Sequence, residues 1–340
     1  MTNNGNGPEC GGKKWAPVFA KKSHENKGAT DGVDRRGMLQ CMGWAGTGAL
    51  FALQGGVAFA TPLHKAGGVA TKVQPFTFLQ ISDTHVGFAK PANPDPVGTL
   101  RETIARVKAL PQQPDFIVHT GDISHLARPE QFDTARSLLS EMNLPIHFIP
   151  GEHDILNGTD PRPYLDHFGA GAQGNGATGN GWYSFDSHGV HFVALVNVVQ
   201  LGDKGMGTLG PDQLAWLKAD LAQHTASTPI VVLSHFPLWA LYPDWGWGTA
   251  DATQALAMLG RFGSVTALNG HIHQIQQKVE GHIHFHSARS TAYPQPAPGV
   301  GPGPGPLVVP PETLRSTIGM SSMTVSQGVG PIAIIDATLA

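Results

Sequence analysis

Phe76-Thr77-Phe78-Leu79-Gln80-Ile81-Ser82-Asp83-Thr84-His85 is the stretch from which the fold can be read. Its first six residues are bulky and mostly apolar, which predicts a strand, and the polar Asp83 and His85 follow at once. The arrangement then returns along the chain. Phe116 to His119 precedes Gly121-Asp122, and Ile146 to Ile149 precedes Gly151-Glu152-His153-Asp154. Ile230 to Leu233 precedes Ser234-His235, and Val265 to Leu268 precedes Gly270-His271-Ile272-His273. Side chains at successive strand ends converge on one edge of a sheet, where α/β proteins place their chemistry. A lone His-x-His pair carries little information. Carboxylates and imidazoles at a series of strand ends predict a site able to hold two metal ions.

Helices are predicted between the strands. Val97 to Leu110 places Leu100, Ile104, Val107 and Leu110 near helical spacing, and Pro129 to Met142 does the same with Phe132, Ala135, Leu138 and Leu139. Pro129 suits a first helical turn. Pro211 to His224 and Asp251 to Leu259 are further helices. Trp182 to Ser187 with Val190 to Val196, and Gln274 to Val279 with His282 to Ala288, read as hairpins around His188-Gly189 and Glu280-Gly281. The expected fold class is therefore α/β, with two sheets face to face and helices outside. Residues 76–290 form the domain, residues 61–75 a linker, and residues 291–340 a Pro/Gly-rich arm followed by strands packing on the same domain. Gly169 to Gly181, Phe236 to Trp247 and Pro294 to Pro311 read as loops.

The chain has 340 residues, 41% of them hydrophobic and 14% charged, enough for a sizeable core. A formal charge of −3 gives no electrostatic case for nucleic acid as a partner. Residues 1–60 read as an export signal. Asp34-Arg35-Arg36-Gly37-Met38-Leu39 resembles a twin-arginine motif, and a mildly apolar run from Cys41 ends in Ala58-Phe59-Ala60, suited to cleavage. A membrane anchor is the competing reading of that run, but its glycines and Gln54 favour cleavage. The mature protein is then expected in the periplasm or secreted, without a stable membrane anchor. Cys10 and Cys41, both cysteines of the chain, leave with the signal, so neither a disulfide nor a thiolate ligand is expected afterwards.

Imidazole and carboxylate ligands suit first-row transition metals such as Fe, Mn and Zn. A carboxylate such as Asp122 can bridge two ions in the arrangement used for in-line displacement at phosphorus. The order D-x-H, G-D, G-x-H-D, H and G-H-x-H resembles the calcineurin-like metallophosphoesterase superfamily over residues 76 to 290. The resemblance implies a four-layer α/β/β/α sandwich and two divalent or trivalent ions. Asp83, His85 and His273 would hold one ion, His235 and His271 the other, and Asp122 would bridge. His153 matches a histidine acting near the leaving group, with Asp154 placed to orient it.

Two departures narrow the expectation. Glu152 stands where the family usually has asparagine, so it either adds a negative charge to the second site or leaves that site one ligand short. Purple acid phosphatases carry a tyrosine three residues after the bridging aspartate, whereas His125 stands there in this chain. Without that phenolate the purple Fe(III) type is not expected, and the pattern is nearer to the bacterial phosphodiesterases of the family. The expected function is hydrolysis of a small phosphodiester or phosphomonoester by a metal-activated hydroxide. The rivals are a non-catalytic metal- or phosphate-binding protein and an exported redox protein. His125, the alternating His282, His284 and His286, Arg289 and the Trp239–Trp247 loop each admit a structural reading beside a functional one.

Overall fold

The computed structural model describes residues 49–54, 57–62, 76–169, 181–326 and 332–340. The twin-arginine stretch lies outside the described residues, as does most of the 61–75 segment and of the Gly169–Gly181 loop. Strands β1 (Ala49–Gln54) and β2 (Val57–Pro62) form an antiparallel sheet of their own, so Thr61 and Pro62 end a strand rather than begin a linker. Among the described residues, no helix is long and apolar enough to cross a membrane.

Two mixed sheets carry the domain. In the first, β3 (Phe76–Ile81), β4 (Phe116–Thr120) and β5 (Ile146–Ile149) run parallel. On the far side of β3 lie β12 (Gly319–Val325) and then β13 (Ala333–Thr338), both added antiparallel. The second sheet has a parallel centre of β7 (Val190–Ala194), β8 (Ile230–Ser234), β9 (Val265–Asn269) and β11 (Ile283–Ser287). Its two edges are the antiparallel strands β6 (Tyr183–Ser187) and β10 (Gln277–Glu280).

Alternation along β3 sets the layers. Phe76 and Phe78 turn inward, to a core shared with Phe116, Phe192, Val231, Leu233, Leu268 and Met323 between the sheets. The Phe78 ring stacks on Phe116 at 5.1 Å and meets Phe192 edge-on at 5.3 Å. Leu79 and Ile81 turn outward, against helices α1 (Pro96–Lys108), α2 (Pro129–Ser140) and α3 (Arg162–Phe168). On the opposite side, Leu214, Leu217 and Leu221 of α4 (Pro211–Leu221) and Leu259 of α5 (Ala252–Leu259) cover Val193, Val232 and Ala267. The result is the four-layer α/β/β/α sandwich. Burying each large apolar side chain contributes about 1.5–3 kcal/mol.

One polar side chain crosses the apolar middle layer. Fully buried Gln80 donates to Thr120 Oγ1 (2.9 Å) and to the Asn269 carbonyl (3.2 Å), tying β3 and β4 to β9 of the other sheet. Those three strands end at Asp83, Asp122 and His271, so this clamp sets the spacing of the site across the two sheets. Helix α3 was not foreseen. Seven residues interrupted by Pro163 are too short to show a helical period, but Tyr164 and Phe168 bury against the outer face of the first sheet.

Candidate metal centre

The sequence-predicted ligands all sit just beyond strand ends, and the backbone there is unusual. Asp83, His85, Asp122, His271 and His273 adopt positive φ, at 54°, 42°, 52°, 69° and 54°. Each such non-glycine residue costs of order 1–3 kcal/mol and persists only where its surroundings hold it. The holding is visible. Asp83 N donates to the Gly121 carbonyl and His85 N to the Asp122 carbonyl, both at 2.9 Å, while Ser290 Oγ donates to the Asp83 carbonyl at 2.7 Å. Glycine is required at two places. Gly121 has φ of 96°, and a Cβ there would run into the His235 ring; a Cβ on Gly151 would collide with the Asp122 carboxylate.

Asp83, His85, Asp122 and His273 form one buried group. His273 Nε2 lies 3.2 Å from Asp83 Oδ1 and 3.2 Å from His85 Nε2, which is 3.5 Å from Asp122 Oδ2. His273 Nδ1 donates to the Tyr293 carbonyl at 2.6 Å, which leaves the lone pair of Nε2 facing this group. Burial, His153 and His273 all hold the His85 imidazole well below its usual value, so it is neutral and its lone pair is available.

Glu152, His235 and His271 form the second group. Glu152 Oε2 lies 2.7 Å from His235 Nε2, and Oε1 lies 2.9 Å from His271 Nδ1. Asp122 Oδ2 is also 3.5 Å from His235 Nε2, so this one carboxylate stands equidistant between the two groups. His235 Nδ1 donates to the Thr120 carbonyl at 2.7 Å, again turning Nε2 to the centre.

The short approaches in this second group are ion-pair contacts of poor hydrogen-bond geometry. Buried Glu152 Oε2, His235 Nε2 and both ring nitrogens of His271 find no partner of proper geometry among the described residues. Buried polar atoms left this way are costly unless something else meets them. Burial lowers the His235 imidazole, but Asp122 and Glu152 outweigh it and lift it well above its usual value. The surrounding negative charge therefore calls for a cation at Nε2, which a proton or a metal ion supplies. These residues fit transition-metal ions.

His153 lies beside the shared carboxylate, its backbone N–H donating to Asp122 Oδ1 at 2.9 Å. Burial would lower its imidazole, but Asp122 and Glu152 raise it above the usual value. Asp154 requires a correction. Rather than orienting the His153 ring, its carboxylate accepts from Ile123 N, Ser124 N, Gly151 N and Ser124 Oγ at 2.7–3.0 Å, bracing the Asp122 loop. Burial and Asp122 push this carboxyl up to about 7, against the pull of those donors. The group that orients the His153 ring is the carbonyl of His125, 2.8 Å from Nδ1, and the His125 ring stacks on His153 at 4.7 Å.

The remaining candidates fall to structural readings. His286 pairs with Asp336 at 3.1 Å, and His282, His284 and His286 are not brought together as a metal-ligand cluster among the described residues. Arg289 donates to the Thr317 carbonyl at 3.2 Å. Trp247 is fully buried, and Trp239 packs on Phe285 at 5.0 Å in the outer core. Two residues beside the ligands escaped the sequence reading. Buried His119 lies 3.2 Å from Thr84 Oγ1, and Tyr293 places its hydroxyl 3.1 Å from His85 Nε2.

The model of the calcineurin-like phosphoesterase family matches residues 76–275, spanning every one of these strand-end ligands. The chain belongs to that family. This calcineurin-like phosphoesterase is 23% identical, over 64% of its length and 79% of the relative's, to a 3′,5′-cyclic-nucleotide phosphodiesterase of Nostoc sp.. It is 28% identical to a glycerophosphodiester phosphodiesterase of Enterobacter lignolyticus over 40% of its own length, and it covers only 46% of that relative. Its fold is that of a dimetal phosphatase from Danio rerio, with a TM-score of 0.57, 16% identity, 77% of this chain covered and 99% of the other. It is a phosphate-ester hydrolase with a dinuclear metal site.

Proposed function

We propose that this phosphoesterase hydrolyses a small phosphodiester, with one ion held by Asp83, His85 and His273, the other by Glu152, His235 and His271, and Asp122 shared. The observation that carries this reading is the position of Asp122 Oδ2, 3.5 Å from both His85 Nε2 and His235 Nε2. The cyclic-nucleotide and glycerophosphodiester phosphodiesterases among its relatives support a diester, and the purple acid phosphatases among them keep a monoester as the second reading. The imidazole–carboxylate donor set suits Fe, Mn or Zn. When bound, such ions polarise the phosphoryl group and lower the pKa of a bound water.

The protein's own residues do the rest. Thr120 and Tyr293 carbonyls hold the ligand imidazoles in one tautomer. His153, with Nδ1 tied to the His125 carbonyl, holds a proton on Nε2 for the departing oxygen. Turnover of bis(p-nitrophenyl) phosphate, together with metal analysis, tests the reading. Two ions per chain are expected, and Asp122→Ala should remove both ions and the activity. A wild-type chain that binds two ions but hydrolyses neither diesters nor monoesters would favour the non-catalytic rival.

Export through the twin-arginine route belongs to the same proposal. A passenger that must fold around its metals before crossing a membrane accounts for such a signal on a chain whose two cysteines both precede residue 60. Arg35→Lys with Arg36→Lys should retain the protein in the cytoplasm, and the exported form should begin near Thr61. Unchanged export of the double variant would overturn it.

A further inference from the structure

We propose that Asp186, His191 and His224 form a third metal site, which takes a zinc ion and pins the edge of the second sheet to the end of α4. It shares no residue with the dinuclear centre and does not depend on the two-ion reading. Asp186 and His191 face each other across β6 and β7, and His191 pairs with Ile230, the first residue of β8. The dinuclear centre follows the last residues of β8 and β9, so the two sites lie at opposite ends of the sheet.

The donor atoms are already close together. One nitrogen of each imidazole and one Asp186 oxygen lie within 4.8 Å of one another. His191 Nδ1 stands 2.9 Å from Asp186 Oδ1. Two ligand atoms held by one zinc ion stand about 3–3.5 Å apart, so little movement separates this pair from coordination. The His224 ring lies against the His191 ring, with 3.7 Å between centroids and 33° between planes. Among the described residues the His224 ring makes no hydrogen bond. Burial and His191 lower its imidazole, so a neutral nitrogen lone pair is available.

The groups behind these donors are those a metal site needs. A ligating imidazole is oriented by what its other nitrogen meets. His191 Nε2 lies 2.8 Å from Asp220 Oδ2, and Asp220 Oδ1 accepts from Ser184 Oγ at 2.6 Å. Donation from Nε2 to that buried carboxylate leaves Nδ1 facing Asp186 and His224. This is the carboxylate–histidine–metal arrangement, with the outer carboxylate itself tied down. His224 is placed through its backbone, because Arg261 donates to the Leu221 and His224 carbonyls at the end of α4. In the metal-free chain a proton on His191 offsets Asp186 and Asp220, and the ion takes its place. The Nδ1–H bond breaks, its proton leaves to solvent, and the nitrogen lone pair forms the bond to zinc. Two imidazoles and a carboxylate suit zinc, with water as the fourth ligand. Arg261 adds a positive charge nearby and Asp186 is exposed, so this ion exchanges more readily than those of the buried centre.

The test is zinc counting on the full chain, by equilibrium dialysis at buffered free zinc and elemental analysis, with Tm read in parallel. Dialysis against zinc-free buffer should leave the two ions of the centre, and rising free zinc should add a third. Asp186→Ala and His224→Ala should each bind one ion fewer at saturation while hydrolysing bis(p-nitrophenyl) phosphate at the wild-type rate. Asp122→Ala should bind one ion, and Asp122→Ala with His224→Ala none. Zinc should raise the Tm of Asp122→Ala but not that of the double variant, because an ion that binds only the folded chain stabilises it. A wild type that saturates at two ions would overturn the third site and leave the two-ion reading intact, as would a third ion that survives in both Asp186→Ala and His224→Ala. Three ions in Asp122→Ala, falling to two when His224→Ala is added, would support the third site and overturn the shared role of Asp122.

Discussion

His153 Nδ1 lies 2.8 Å from the carbonyl oxygen of His125. A carbonyl can only accept, so Nδ1 carries a hydrogen in every protonation state, and the proton that comes and goes is on Nε2. The tautomer is fixed by the backbone three residues after Asp122.

A leaving-group series reads this arrangement directly. His153→Gln should slow alkyl diesters by about 10²–10⁴-fold, the usual contribution of general acid catalysis, while p-nitrophenyl esters lose far less. In the metal-free chain Asp122 and Glu152 raise the imidazole above its usual value, and ions bound between those carboxylates offset that pull. The wild-type rate on alkyl diesters should fall as pH rises through the His153 pKa of the loaded enzyme, and His153→Gln should remove that limb. Equal losses across the series would remove His153 from the proton transfer.

Glu152 is the least family-like ligand. Burial raises its carboxyl, but His271 and His235 outweigh this and hold it well below the usual range, so it stays anionic throughout the neutral region. Glu152→Asn replaces that anion by a neutral amide. Retention of the second ion during dialysis should drop, and turnover should rise as the remaining charge polarises substrate more strongly. Unchanged retention and turnover would mean that Glu152 is not a ligand.

Stability should depend on pH through a different histidine. His191 sits 2.8 Å from Asp220 and 2.9 Å from Asp186. Burial lowers its imidazole, but the two carboxylates outweigh burial and raise it. A raised folded pKa gives stability that is fully present below the unfolded value of about 6.5. That stability is lost as pH rises through the folded pKa. Denaturant titrations from pH 5 to 9 should show this loss, and His191→Leu should flatten it and cost about 1–3 kcal/mol at pH 6 by leaving Asp220 Oδ2 without its partner while Ser184 still donates to Oδ1. A variant with the wild-type pH slope would place the effect elsewhere.

Gly151→Ala tests the crowding beside Asp122. The added methyl meets the carboxylate and the Asp122 amide, so the Asp122 loop must move. Loss of both ions in elemental analysis is expected, together with destabilisation of about 1–3 kcal/mol. Full metal content in this variant would show that the loop yields without disturbing its ligands.

Much of the site was legible in the chain because strand-end ligands are local. An apolar run followed by Asp83 and His85, or by His271 and His273, writes its geometry within ten residues. Three features were not legible, each for a physical reason. Tyr293 reaches His85 from a segment more than two hundred positions away, so no spacing announces it. Asp154 lies next to His153 in sequence, but the tight turn at Glu152–Asp154 aims its carboxylate at backbone amides instead of at the ring. The left-handed backbone at five ligands reflects tertiary hydrogen bonds that Asp and His merely tolerate. The place of β12 was equally hidden. Gly319–Val325 reads Gly-Met-Ser-Ser-Met-Thr-Val, with no clean apolar–polar alternation to mark a strand, and the uncovered side of β3 decides where it goes.

That place has a kinetic consequence. Phe78 of β3 pairs with Met323 of β12, so one of the first strands of the domain waits for one of the last. A nascent chain can emerge with every histidine and aspartate of the centre already synthesised, yet leave β3 as an open edge until the final segment arrives. Such distant pairings make folding slow and expose sticky strands in the meantime. Chaperone demand and the yield of active protein should therefore respond more to changes in the last twenty residues than their distance from the chemistry suggests.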